Sequence, residues 1–103
     1  MIQLILDKKK EIERICAEHQ VRSLSLTGSG LSGTWDPNIS DIDLIIEFQS
    51  MSPADHAESY FSILEEFEDL FGYPIDLIEM CAVTNPHLRE SFASTQESLY
   101  ALT

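Results

Sequence analysis

Only eight residues, TWDPNISD, separate Gly33 from Ile42, and Pro37 stands among them. The stretch just before, TGSGLSG at residues 27–33, carries the spacing G-x-G-x-x-G. In a dinucleotide-binding unit that spacing opens a helix that crosses back to a parallel strand. Eight residues are too few for such a crossover, and a proline inside a helix removes a hydrogen bond and clashes with the turn before it. The dinucleotide reading therefore fails on space. A P-loop fails too, because no Gly-Lys-Ser/Thr closes the glycine run. A kinase-type glycine loop needs a far longer chain than 103 residues. At this length we expect one core and one domain, spanning residues 1–103.

The rest of the chain reads as a mixed set of elements. Residues 2–19 read as a helix, with Ile5, Ile12, Ile15 and Cys16 at helical spacing. Residues 22–26 read as a short strand that ends at the glycines, and residues 42–48 (IDLIIEF) as a central strand. Ser52 is a natural N-cap, Pro53 suits the first helical position, and Asp55 faces the helix N-terminus. The helix opened there is expected to bury Ala57, Tyr60, Phe61, Leu64, Phe67 and Phe71, and to stop at Gly72 and Pro74. Residues 75–80 read as a third strand and residues 86–94 as a helix capped by Asn85. The final ESLYALT fits either a helix or an edge strand. The fold class is thus α+β, a small mixed β-sheet packed against helices.

Charge narrows the function. Eighteen acidic against six basic residues give a net charge of −12, which repels a phosphate backbone, so direct nucleic-acid binding is not expected. Four of the positive charges, Lys8, Lys9, Lys10 and Arg14, lie in the first segment. An anionic ligand must then rely on backbone N–H groups and metal ions. Cys16 and Cys81 have no C-x-x-C spacing and read as two buried thiols in a reducing cytoplasm. Neither a signal peptide nor a membrane span is legible.

Directly after the glycine loop and its short spacer the chain reads S-D-I-D-L-I-I. The two-residue period of a strand puts Asp41 and Asp43 on one face and Ile42, Leu44 and Ile46 on the other. Two such carboxylates repel, and hard oxygen donors select Mg²⁺ or Mn²⁺ as the cation that would hold them together. A lone D-x-D often simply ends a loop in solvent; the glycine loop beside it argues otherwise. Asp76 stands in the same kind of position in the next apolar strand, where a charge is otherwise costly. Three aspartates on neighbouring strands could share two metals, and Gly28, Ser29 and Gly30 would let backbone N–H groups approach a triphosphate.

Gly28-Ser29, then Asp41-x-Asp43, then a strand bearing Asp76, and finally NPHLRESFASTQESLYA from Asn85 onward, together resemble the minimal nucleotidyltransferases of the DNA polymerase beta-like superfamily. The similarity runs from Val21 to Ala101. It implies the polymerase beta-like nucleotidyltransferase fold, two Mg²⁺ ions held by Asp41, Asp43 and Asp76, and a nucleotide held at Gly28, Ser29 and Gly30. It implies further that Asp76 helps to deprotonate or orient the acceptor hydroxyl. Members of the family are commonly antitoxins paired with a HEPN-domain protein, transferring AMP from ATP to a tyrosine of that toxin. One departure stands out: Gly30 and Ser32 occupy positions where the family often has basic residues, and Arg89 is the internal candidate to compensate.

Two other functions stay open on the residues alone. The chain could be a degenerate nucleotidyltransferase-fold module that neutralises its toxin by binding, or it could modify RNA ends or a small molecule, which the charge and length disfavour. Trp35 reads as loop packing with adenine stacking as the alternative. His19, His56 and His87 read as scattered surface residues, and the acidic run Glu65, Glu66, Glu68, Asp69 as a solvated helix side.

Overall fold

The computed structural model describes residues 3–27, 42–94 and 96–102. In chain order these form α1 (Gln3–Asp7), α2 (Lys9–Glu18), β1 (Val21–Thr27), β2 (Ile42–Phe48), α3 (Pro53–Phe71), β3 (Ile75–Glu79), a 3-10 turn (Met80–Ala82), α4 (Pro86–Ser94) and β4 (Glu97–Ala101). The expected first helix is divided at Lys8, whose N–H reaches back only three residues to the Ile5 carbonyl, a tighter turn than the α-helical one.

The strands make one four-stranded sheet in the order β3-β2-β1-β4. β1 runs antiparallel to both β2 and β4, while β2 and β3 are parallel. A parallel pair needs a long connection over one face of the sheet, and α3 supplies it. Its ends obey the expected local chemistry. The Ser52 side chain accepts a hydrogen bond from Asp55 N–H, Pro53 opens the helix, and Gly72 closes it in the left-handed region at φ 74°. Asn85 caps α4, its Oδ1 accepting from His87 N–H (2.9 Å) and Leu88 N–H (3.2 Å). The ambiguous C-terminal stretch is a strand, because its backbone completes the open edge of β1.

The core lies on one face of the sheet. Leu24, Leu26, Ile42, Leu44, Ile46, Ile75, Leu77 and Leu99 pack there against Ile5, Ile12, Ile15 and Cys16 from α1 and α2 and against Ile63, Phe67 and Phe71 from α3. Val21 and Leu24 both point inward, which regular alternation forbids; a register shift between Val21 and Ser23 makes it possible. Phe61, expected in the core, is 66% exposed. At 100° per residue it stands about 120° around the helix from Phe67, while Ile63 stands only about 40° away and takes the inward place. Among the described residues no helix is long and apolar enough to cross a membrane.

The second face of the sheet bears the polar strand positions. Ser23, Ser25 and Thr27 of β1, Asp43, Ile45 and Glu47 of β2, and Asp76 and Ile78 of β3 alternate with the core positions. Ile45 is buried yet stands apart from the main core cluster, as its place on this face requires.

Candidate active site

Gly28, Ser29, Gly30, Asp41 and Trp35 lie outside the described residues. The structure describes the two strand positions that border this segment, Thr27 and Ile42, together with Asp43 and Asp76. Asp43 and Asp76 are direct partners across the parallel β2/β3 pair, so their side chains leave the same face of neighbouring strands. Asp43 is half-buried and Asp76 exposed.

Register explains why they meet. Ile42, Leu44 and Ile46 must face the core together with Ile75 and Leu77, and that requirement turns the intervening aspartates outward at the same level. On the other side of β2, Thr27 is the partner of Asp43. A lateral row therefore runs Thr27, Asp43, Asp76 across three adjacent strands, at the end of the sheet where β1 gives way to the glycine segment. Like charges directly opposite one another in a sheet are destabilising. Two hard oxygen donors at one level, one of them open to solvent, are a donor set that fits a hard divalent cation of the Mg²⁺ kind. Among the described residues there is no cluster of three or more metal-ligating side chains, and Asp41 falls outside them.

Positive charge is scarce here. Arg22 pairs with Glu47 at 3.4 Å and Arg14 with Glu18 at 3.1 Å. Arg89, the expected compensating residue, is engaged by backbone carbonyls. Its Nη1 donates to the carbonyls of Met80 (2.6 Å) and Val83 (3.2 Å), tying the 3-10 turn to α4. It also lines a cleft of about 710 Å³ with Glu47, Phe48, Met51 and Cys81. Glu47 is four residues along β2 from Asp43, roughly 13 Å at strand rise. The cleft also takes in Ser23 and Ile45, the latter two residues along β2 from Asp43, so it opens on the same face of the sheet as Asp43. Neither Asp43 nor Asp76 lines it.

The nucleotidyltransferase domain model matches residues 9–97, most of the chain. The chain belongs to the nucleotidyltransferase family. It is accordingly an enzyme of the nucleotidyl-transferring class. It is 32% identical over 90 residues to a protein of Methanocaldococcus jannaschii named as a protein adenylyltransferase, the match covering 87% of this chain and 86% of that one. Its fold is similar to that of a solved minimal nucleotidyltransferase, at 22% identity and a TM-score of 0.67, over 93% of this chain and 95% of the other. It is also similar to a chain in a solved complex of a tri-AMPylated Shewanella oneidensis HEPN toxin with MNT antitoxin, at 12% identity and a TM-score of 0.63, over 94% of this chain and 72% of the other. At such identities the two structures speak for the fold.

Around the site, the nucleotidyltransferase braces β3 from α3. The Tyr60 hydroxyl donates to the Leu77 carbonyl at 2.7 Å, one residue beyond Asp76. Burial pushes the Tyr60 phenol above its ordinary value, and the charges of Glu79 and Asp76 add to the effect. His56 on α3 contacts Glu79 at the end of β3 and lies 5.3 Å from the Phe48 ring. His19 joins α2 to α3, with Nδ1 2.8 Å from the Ile15 carbonyl and Nε2 2.6 Å from Glu66. Two of the three histidines expected at the bare surface are therefore partnered between elements, a fact that depends on contacts far apart in sequence. Cys81, expected to be buried, is exposed in the 3-10 turn after β3, none of whose residues is buried; Cys16 is buried, as expected. Thr27 went unnoticed in the sequence because a threonine at a strand end carries no motif.

Proposed function

We propose that the enzyme is an adenylyltransferase that moves AMP from ATP to a tyrosine hydroxyl of a HEPN-domain toxin and so acts as its antitoxin. The observation that carries the reading is the in-register pair Asp43 and Asp76 at the sheet end next to the glycine segment. The matched relatives support it: one is named a protein adenylyltransferase, and one structure contains an AMPylated HEPN toxin.

In this proposal Asp41, Asp43 and Asp76 hold two Mg²⁺ ions, and Gly28, Ser29 and Gly30 offer backbone N–H groups to the triphosphate. The ions would neutralise charge on the α-phosphate and on the departing pyrophosphate. The tyrosine oxygen forms a bond to the α-phosphorus, the bond from that phosphorus to the bridging oxygen breaks, and pyrophosphate leaves. Asp76, exposed at the start of β3, is open to an incoming hydroxyl and orients it or takes its proton; half-buried Asp43 is set for binding metal. The net charge of −12 favours a basic protein acceptor over nucleic acid. Such a chemistry suits a cytoplasmic protein.

The test is intact-mass and peptide analysis of the HEPN partner after incubation with the enzyme, ATP and Mg²⁺. One AMP mass on a tyrosine, lost with Asp43→Asn, is the expected result; an unmodified partner would refute the proposal. A second reading, neutralisation by binding alone, is favoured by the Arg89 guanidinium being engaged by the carbonyls of Met80 and Val83. Toxin inhibition that survives the double change Asp41→Asn, Asp43→Asn, with the complex intact, would select it.

A further inference from the structure

Among the described residues β3 is an edge strand, paired on one side with β2. The Pro74 carbonyl accepts from Ile42 N–H at 3.2 Å, so the backbone groups of alternate residues, Pro74, Asp76 and Ile78, turn toward β2. Those of Ile75 and Leu77, the two neighbours of Asp76, turn to the outer edge. Two side chains of α3 meet them there. The Tyr60 hydroxyl donates to the Leu77 carbonyl at 2.7 Å, and Glu68 Oε2 accepts from Ile75 N–H at a longer 3.4 Å. Chain direction explains the pairing. The chain doubles back after Gly72, so the residue farther back in the helix meets the residue farther on in the strand.

Asp76 is thereby straddled by two bonds to the same helix. Its strand is only five residues long, and the like charge of Asp43 opposite it pushes β2 and β3 apart. The core holds Ile75 and Leu77 by their side chains, and α3 holds the same two residues by their backbone. The Tyr60 ring packs against the core and stands edge-on to Phe61, 5.3 Å between centroids, which fixes the origin of its hydroxyl. Burial, with the charges of Glu79 and Asp76, raises the phenol above its ordinary value, so it keeps the proton that it donates. We propose that Tyr60, together with Glu68, is a positioning residue that clamps β3 on both sides of Asp76 and so holds the Asp76 carboxylate level with Asp43 for a shared divalent cation. The inference rests on the reading of Asp43 and Asp76 as metal ligands.

It is tested by titrating Mn²⁺ into the unsubstituted protein, Tyr60→Phe, Glu68→Ala, Glu68→Gln and Ser52→Ala, with free Mn²⁺ read from its electron paramagnetic resonance signal. Thermal unfolding in metal-free buffer is recorded beside it. Ser52→Ala is the control for stability alone, since it removes the cap of α3 and touches nothing on β3. Tyr60→Phe keeps the ring and loses only the hydroxyl. It is expected to weaken Mn²⁺ by about 10-fold, the lower end of the range for groups that hold metal ligands in place, while Ser52→Ala binds as the unsubstituted protein does. Glu68→Gln, which keeps an acceptor oxygen, should bind more tightly than Glu68→Ala. Unchanged affinity in Tyr60→Phe overturns the proposal, as does a loss that Ser52→Ala reproduces. Should Tyr60→Phe fail to fold, the Glu68 pair decides: affinity lost in Glu68→Ala and restored in Glu68→Gln supports the clamp, and equal affinity in the two overturns it. Absence of Mn²⁺ binding by the unsubstituted protein would instead overturn the metal reading itself, and this inference with it.

Discussion

Asp76→Asn should change the stability of the enzyme in opposite directions with and without metal. Asp43 and Asp76 are paired across β2 and β3, so their carboxylates stand roughly 5 Å apart if they keep the usual spacing of cross-strand side chains. Two unit charges at that distance repel by about 0.8 kcal/mol in water and about 3 kcal/mol at the effective dielectric of a protein surface. Asp76 is exposed, which places the value near the lower end, at about 1 kcal/mol in low salt. Neutralising Asp76 in metal-free buffer should therefore raise Tm by roughly 4–8 °C, the shift that 1 kcal/mol produces in a domain of this size. Added Mg²⁺ reverses the ranking. A site filled to 100 times its Kd stabilises by about 2.7 kcal/mol, and Asp76→Asn should lose most of that increment. The assay is thermal unfolding by circular dichroism, with chelator and then with Mg²⁺ and ATP. If Asp76→Asn lowered Tm in chelator and kept the full Mg²⁺ increment, the reasoning would be refuted and Asp76 would be an ordinary surface carboxylate.

Replacing Arg89 by Ala should cost about 1–3 kcal/mol, since its guanidinium donates to two carbonyls, yet Mg²⁺-ATP affinity of the folded protein should hold; a selective loss of ATP binding in calorimetry would contradict the assigned geometry. Phe67→Ala, at a site with no exposure, should destabilise by about 3–5 kcal/mol in urea unfolding, while Phe61→Ala should cost far less. Burial, with a smaller push from Glu13, raises the Cys16 thiol from 9.0 to about 12. The folded state thus keeps the proton that the unfolded state loses, so this contribution is complete below pH 9 and is lost as pH rises from 9 toward 12. Cys16→Ala should flatten that alkaline decline in unfolding curves, and native protein should be alkylated at Cys81 before Cys16.

Local chemistry was legible wherever a residue's neighbours in sequence are also its partners in space. Ser52, Pro53 and Gly72 delimit α3, and Asn85 caps α4, because capping bonds span two to four residues. The eight-residue spacer with Pro37 excluded a crossover helix, and the alternation around Asp43 and Asp76 placed both outward without any knowledge of their partners. The Gly28-Ser29 and D-x-D spacing led to the nucleotidyltransferase resemblance, and the domain match bears it out.

Relations between distant segments were beyond the reach of the sequence. Whether the last residues are strand or helix depended on an open edge of β1, far back in the chain. Phe61 and Ile63 are comparably apolar, and only the angle at which α3 meets the sheet turns one outward and the other inward. Arg89 carries the same charge wherever it points; the carbonyls of Met80 and Val83 claim it because the turn after β3 leaves them within reach. The meeting of Thr27, Asp43 and Asp76 is likewise a matter of register. Side-chain alternation along one strand is local, but the level at which three strands align is set by the packing of Leu26, Leu44 and Leu77 in a common core.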